Sequence, residues 1–273
     1  MLRFYRFVCS VNAKDIGVLY LISSVVGGII GFSYSVIIRL ELSNSGRVYL
    51  SSAELYNTCI TLLGLIMIFF FVMRFLISGL GNYFIRIMLG QIDMCFPRLN
   101  NISYWLWLFS FILLLTSGVI DYGRNGGWTL YVRLSTIDYS SSTSVDILIF
   151  SLLLAGISSL LGSINFITTI YNNRLEFTEL INVRIFIWCM FITNILLLLS
   201  LPVLAVAITF ILTDRNINTT FYNAKYSGDA VLYQLLFWIF GLREVKYKKI
   251  INLKLFKINN IEIGIYRIKV IKK

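Results

Sequence analysis

Charged residues along this chain are separated by long apolar intervals. Residues 16–38, 55–73, 102–120, 147–173 and 185–213 contain no Asp, Glu, Lys or Arg. Each interval reaches the roughly 18 residues that a helix needs to cross a hydrocarbon layer about 30 Å thick. Backbone in lipid must satisfy its own hydrogen bonds, so the pattern predicts five membrane-spanning helices. A sixth apolar run, Ala230–Leu242, has 13 residues. As a helix it reaches only about 20 Å, too short to span. It runs directly into Arg243 and Glu244 in "YQLLFWIFGLREV". Beyond it, "IEIGIYRIKVI" alternates apolar and polar positions, which suits a strand better than a membrane helix.

Composition agrees with the pattern. Of 273 residues, 58% are hydrophobic and 14% charged, which excludes an ordinary soluble domain. The N-terminal "MLRFYRFVCSVNAKD" has no apolar core followed by a cleavage site, so the first span is expected to stay in the mature protein. Arg3, Arg6 and Lys14 precede that span and predict an N-terminus on the cytoplasmic or matrix-equivalent side. Cys9, Cys59, Cys95 and Cys189 are scattered, with no C-x-x-C, and read as small apolar residues rather than metal ligands or disulfides. Net charge is +11, and the last 31 residues carry ten Lys or Arg against two Glu. Residues 246–273 therefore read as a basic, low-complexity extension outside the bilayer, with no nucleic-acid partner expected. The lipid bilayer is the partner that composition itself implies.

Longer stretches carry a family pattern. "VNAKDIGVLYLI", "YNTCITLLGLIMIFFFVM", "GLGNYFIRIMLGQIDMCFPRLNNISYWL", "SVDILIFSLLLAGISSLLGSINFITTI", "LLLLSLPVLAVAITFILTDRNINTTF" and "GDAVLYQLLFWIFG" resemble subunit I of the haem–copper cytochrome c oxidases. The form most similar is that of fungal mitochondria. The resemblance covers residues 4–245. It implies an all-α bundle holding the first five of twelve membrane helices and the start of the sixth. It further implies a multi-pass protein of the mitochondrial inner membrane, assembled with other oxidase subunits. That family takes electrons from cytochrome c through haem a to a haem a3–copper centre, reducing oxygen and pumping protons. Residues 1–245 would form the partial membrane domain.

The same resemblance marks what this chain lacks. The family's haem a ligand on the second helix falls on Leu63 in "TLLG", and a copper ligand falls on Leu242 in "GLREVK". Two further family histidines fall on Leu153 and Leu235, and the whole chain contains no histidine. Lys246 stands where the family has a tyrosine, and Tyr247, one residue late, does not inherit its role. Arg74, Arg86, Arg133 and Arg243 stand where the family has proline. Iron and copper here need nitrogen lone pairs that no aliphatic side chain offers. The chain as written is therefore expected to bind neither haem nor copper and not to reduce oxygen. That all four of these histidines read as leucine and all four of these prolines as arginine points to a systematic cause, such as an unusual code, an unedited transcript or a faulty translation. The alternative readings are a pseudogene or the leader of an intron-encoded maturase or homing endonuclease, although no LAGLIDADG-like segment is present.

The polar positions inside the apolar pattern remain. By resemblance, Asp93, Asn82 and Asn100 match the mouth of the family's proton pathway and Glu244 its inner end. Arg39 and Trp128 match residues near haem a, and Glu41 a peripheral cation site. Taken alone, Asp93 reads as a loop carboxylate paired with Arg98. Arg74, near the end of the second span, is a strain that does not exclude insertion, because a long side chain can snorkel toward the membrane surface. Gly27, Gly28 and Gly31 read as a helix-packing face, and Pro202 as a kink.

Overall fold

The computed structural model describes residues 10–43, 49–50, 52–123, 126–137, 139–173, 183–223 and 226–242. Five helices in it are long and apolar enough to cross a membrane: α1 (Ala13–Leu42), α2 (Ala53–Leu89), α3 (Pro97–Val119), α4 (Ser144–Asn172) and α5 (Ile185–Asn216). A shorter helix, α6 (Ala230–Leu242), follows. No strand occurs among the described residues. The predicted strand, Cys9, Arg243, Glu244, Lys246, Tyr247 and the rest of the basic extension lie outside them.

Helix ends follow local chemistry. Asn12 caps α1 by accepting from the Lys14 amide at 3.1 Å, and Ser52 caps α2 by accepting from the Leu55 amide at 3.2 Å. These bonds satisfy amides that have no partner within the first turn. Pro97 opens α3, where its missing N–H costs nothing. Gly90 closes α2 with φ +70°, a left-handed conformation that favours glycine.

The second span corrects the sequence expectation. It does not end near Met73 but continues through Arg74 to Leu89, so Arg74 lies in mid-helix. Two stretches, Ile66–Val72 and Arg74–Leu80, wind in wider i→i+5 turns. Arg74 does not snorkel: it is 3% exposed, and its guanidinium turns inward onto α4. Charge spacing marked a helix end where the bundle instead supplies polar partners for the cation. Likewise α5 runs through Pro202 and stays helical to Asn216.

Helices α3 and α4 are joined by a repeated polar register. The Ser158 hydroxyl donates to the Ser103 carbonyl at 2.6 Å, and the Ser151 hydroxyl to the Ser110 carbonyl at 2.7 Å. One further step along, the Asn165 amide donates to the Phe96 carbonyl at 3.1 Å. The α4 members recur every seven residues, and their partners, two in α3 and Phe96 just before it, recur every seven in the opposite direction. Small residues let the backbones approach, and each side chain then finds a carbonyl across the interface.

Around this seam sits the main core, where Trp107 stacks on Phe111 with centroids 6.1 Å apart and Tyr20 meets Tyr104 edge-on at 5.0 Å. A second cluster, with Ile85, Phe166, Ile187 and Met190, fills the end of the bundle nearest Asp93. Gly27, Gly28 and Gly31 face Phe111, Phe71 and Met67, which is the packing role expected of them. Ile22, Ile29 and Phe32 of α1 are exposed, as lipid contact requires.

Candidate functional site

The polar residues singled out in the sequence fall at different levels of the bundle. Asp93 lies in the short loop between Gly90 and α3. Its Oδ1 accepts from the Ala13 amide at 3.1 Å and from the Met94 amide at 2.9 Å. The expected pairing with Arg98 is not found: Arg98 is exposed, and the carboxylate is taken up by the backbone that opens α1. Deeper in, Asn82 of α2 and Asn100 of α3 are 1% and 2% exposed, and the Asn100 amide donates to Asn82 Oδ1 at 2.9 Å. The Asn82 amide in turn donates to the Ser78 carbonyl at 2.8 Å.

Further into the bundle the file continues with residues that sequence reasoning did not name. Tyr20 Oη and Ser103 Oγ are 3.0 Å apart, and Ser158 reaches the Ser103 carbonyl. Ser159 is adjacent, its hydroxyl on the Ala155 carbonyl at 2.6 Å. Hydroxyls both donate and accept, so such a file can hand protons along if water fills its gaps. The available signal was serine and tyrosine recurring inside apolar spans. Which of those residues face one another is not written in the spacing of any single helix.

The positions matched to cofactor ligands lie elsewhere. Leu63, on α2, is partly buried, as is Leu153 on α4, whereas Leu235 and Leu242 on α6 are exposed. Next to Leu63 is Gly64, where an added Cβ would come 2.8 Å from the Trp128 Cβ. The 126–130 loop is thus pressed directly onto α2. Three contacts hold it there. Thr61 Oγ1 accepts from the Gly127 amide at 3.0 Å, and the Tyr233 hydroxyl donates to the Thr129 carbonyl at 2.8 Å. The third contact is Trp128 packing edge-on against Phe237 at 5.5 Å. Gly127 takes φ +99°, a conformation that strains any side-chain-bearing residue.

Arg39 is exposed near the end of α1. Glu41 is buried; Oε2 accepts from the Tyr49 and Leu50 amides at 2.8 and 3.0 Å, while Oε1 meets no partner among the described residues. No cluster of three or more His, Cys, Asp or Glu capable of holding a metal occurs among the described residues. At the matched ligand positions the side chains are aliphatic, and they do not fit haem iron or copper. Glu244 lies outside the described residues.

A sequence model of the family "Cytochrome C and Quinol oxidase polypeptide I" matches residues 15–252. The chain belongs to that family. It is 50% identical over 245 residues to cytochrome c oxidase subunit 1 of Yarrowia lipolytica, covering 89% of this chain and 46% of that protein. Subunit 1 of Eremothecium gossypii is 48% identical and that of Candida albicans 47%, each over 241 residues, 88% of this chain and 45% of the relative. The chain therefore spans about half the length of the relatives it matches. Family membership and the five long apolar helices make it a multi-pass membrane protein of the all-α oxidase fold. The matched region also runs seven residues into the basic extension, past the boundary expected at residue 245.

Proposed function

We propose that the chain is the N-terminal part of subunit 1 of a fungal mitochondrial cytochrome c oxidase, seated in the inner membrane beside other oxidase subunits. The observation that carries this is 50% identity over 245 residues to a protein of that name. In the assembled oxidase, haem a, haem a3 and copper supply the electron transfer from cytochrome c to oxygen. This chain's own contribution is structural and protonic. Asp93 collects protons at the loop, and Asn82, Asn100 and the Tyr20–Ser103 hydroxyl file line the way inward toward Glu244. Arg39 and Trp128 flank the haem a position, and Glu41 holds the peripheral cation site.

As written, the chain has no imidazole, so it holds none of these cofactors by itself. The test begins with affinity capture of the chain from mitochondrial membranes. Co-purification with the other oxidase subunits is the expected result; recovery as a free chain overturns the assembly reading.

A second reading is favoured by the kinds of replacement: four family histidines become leucine and four family prolines become arginine, while half of all positions stay identical to a relative. In that reading the synthesised protein carries the histidines. Mass spectrometry of the native peptide spanning residues 56–73 decides it, since leucine at 63 in the protein eliminates this reading and leaves the ligand-free chain.

A further inference from the structure

At the end of the bundle away from Asp93, a groove of about 570 Å³ lies between the 131–134 turn and the start of α6. Tyr131, Arg133, Leu134, Val231 and Gln234 are among the residues that line it. That volume is in the range that holds a small organic ligand. Tyr131, Arg133 and Gln234 are all exposed. Among the described residues, none of their three polar side chains has a hydrogen-bond or ion-pair partner. Arg215, at the same end, is by contrast buried and bonded to Asp146 and three carbonyls. Asp229 is occupied as the cap of α6, its Oδ1 accepting from the Val231 amide at 2.8 Å. The Arg133 charge is therefore left for a partner from outside the chain.

From these polar groups the groove opens onto an apolar stripe. Val231, Leu235, Trp238 and Leu242 recur at helical spacing along α6, and each is exposed. The helix is about 20 Å long, enough to line one leaflet of a hydrocarbon layer about 30 Å thick. Exposed Tyr131, Tyr139 and Tyr226 gather at the same end, as aromatic side chains do at the headgroup level.

We infer that this groove is a binding site for one anionic phospholipid, its phosphate on Arg133 and an acyl chain along α6. The guanidinium fork matches the oxygens of a phosphate, two donors to two acceptors. Gln234 stands one turn into the helix, where its amide and the Tyr131 hydroxyl can donate to the ester carbonyls of the lipid. Cation, neutral donors and apolar stripe thus follow one another from the surface inward, which is the order of complementary parts in a phospholipid. The inference needs only the membrane placement of the chain and not its cofactors.

The test uses the full chain purified in detergent and titrated with dioleoylphosphatidylglycerol or dioleoylphosphatidylcholine, with bound lipids counted by native mass spectrometry. One phosphatidylglycerol is expected to be held about fivefold more tightly than phosphatidylcholine, the scale of one arginine at an anionic lipid surface. Arg133→Gln is expected to abolish that preference. Arg184→Gln removes an exposed charge at the opposite end of the bundle and is expected to keep it. Val231→Trp leaves Arg133 in place but fills the groove, and is expected to lose the tightly held lipid. Arg133 and Val231 are both exposed, so each variant is expected to match the helix content of the parent by circular dichroism. Equal retention of the two lipids by the parent, or equal loss of preference in the Arg133 and Arg184 variants, overturns the site. So does a Val231→Trp variant that still holds the lipid, since charge alone would then account for binding. In native membranes, a photoreactive benzoylphenylalanine in place of Val231 is expected to give phospholipid adducts. Adducts with another polypeptide in their place would overturn the lipid and assign the groove to a docked protein.

Discussion

Single side chains hold this structure where apolar contact cannot. At the end of α5, Arg215 is 5% exposed and makes four bonds, to the carbonyls of Ser135, Ser140 and Ser142 and, through Nε at 2.7 Å, to Asp146. One guanidinium thus fastens the 135–142 connection to both α4 and α5, and its bonds satisfy buried carbonyls that would otherwise be orphaned. Arg215→Met is expected to cost roughly 3 kcal/mol, because breaking a buried ion pair leaves its partners unsatisfied. It should also open this connection to protease. Asp146→Asn keeps an acceptor and should cost about 1 kcal/mol; thermal midpoints in detergent compare the two. Nearby, Tyr222 is buried, its hydroxyl on the Ala207 carbonyl at 3.1 Å, and Asp214 lies alongside. Burial first, and the Asp214 charge second, push its ionisation well above the usual tyrosine value. The neutral phenol is the form the fold accepts. Its contribution is therefore complete below about pH 10, where an unfolded tyrosine ionises, and is lost as pH rises beyond. Tyr222→Phe should flatten the fall of the thermal midpoint between about pH 9 and 12.

Between elements, the α3–α4 seam shows why composition understates membrane helix packing. Lipid is as apolar as leucine, so burial alone does not draw these helices together; close backbone approach and interhelical hydrogen bonds do. The bonds from Ser151 and Ser158 to carbonyls of α3 each favour one register. A single Ser158→Ala substitution is expected to cost only about 0.6 kcal/mol, the average for such bonds in a membrane. Ser158→Leu should cost several times more, by holding the helices apart, and should be the variant that lowers the thermal midpoint sharply. A large loss in the alanine variant would show the hydroxyl, rather than the space it leaves, to be the main term. The seven-residue serine spacing was present in the sequence all along. Nothing within either helix said which carbonyl it would meet. By contrast the five spans were legible, because a run of roughly 20 uncharged residues has few alternatives in water or lipid. Arg74 misled for the converse reason, since a charge usually ends a span and here the bundle provides for it from α4.

For the molecule as a whole, the decisive quantity is the number of imidazoles. A low-spin haem a needs two axial nitrogens, and this chain has none. Leu63→His supplies one. Reconstitution of that variant with haem a is expected to give no sharp reduced-minus-oxidised band of a six-coordinate haem; such a band at stoichiometric haem would show a ligand that the residues do not account for. Composition and charge spacing determined the membrane class, the number of long spans, the short α6 and the absence of any imidazole. These depend on what each residue is, and transfer free energy and lone-pair chemistry are properties of residue type. Tertiary structure decided that Asn82 bonds Asn100, that Asp93 binds the start of α1 in place of Arg98, that Trp128 lies over Gly64, and that Arg74 faces the polar file. Those are relations between side chains far apart in sequence, 18 positions for the asparagines and 81 for Arg74 and Ala155. Only the packing of one helix against another sets which partner lies within hydrogen-bond reach.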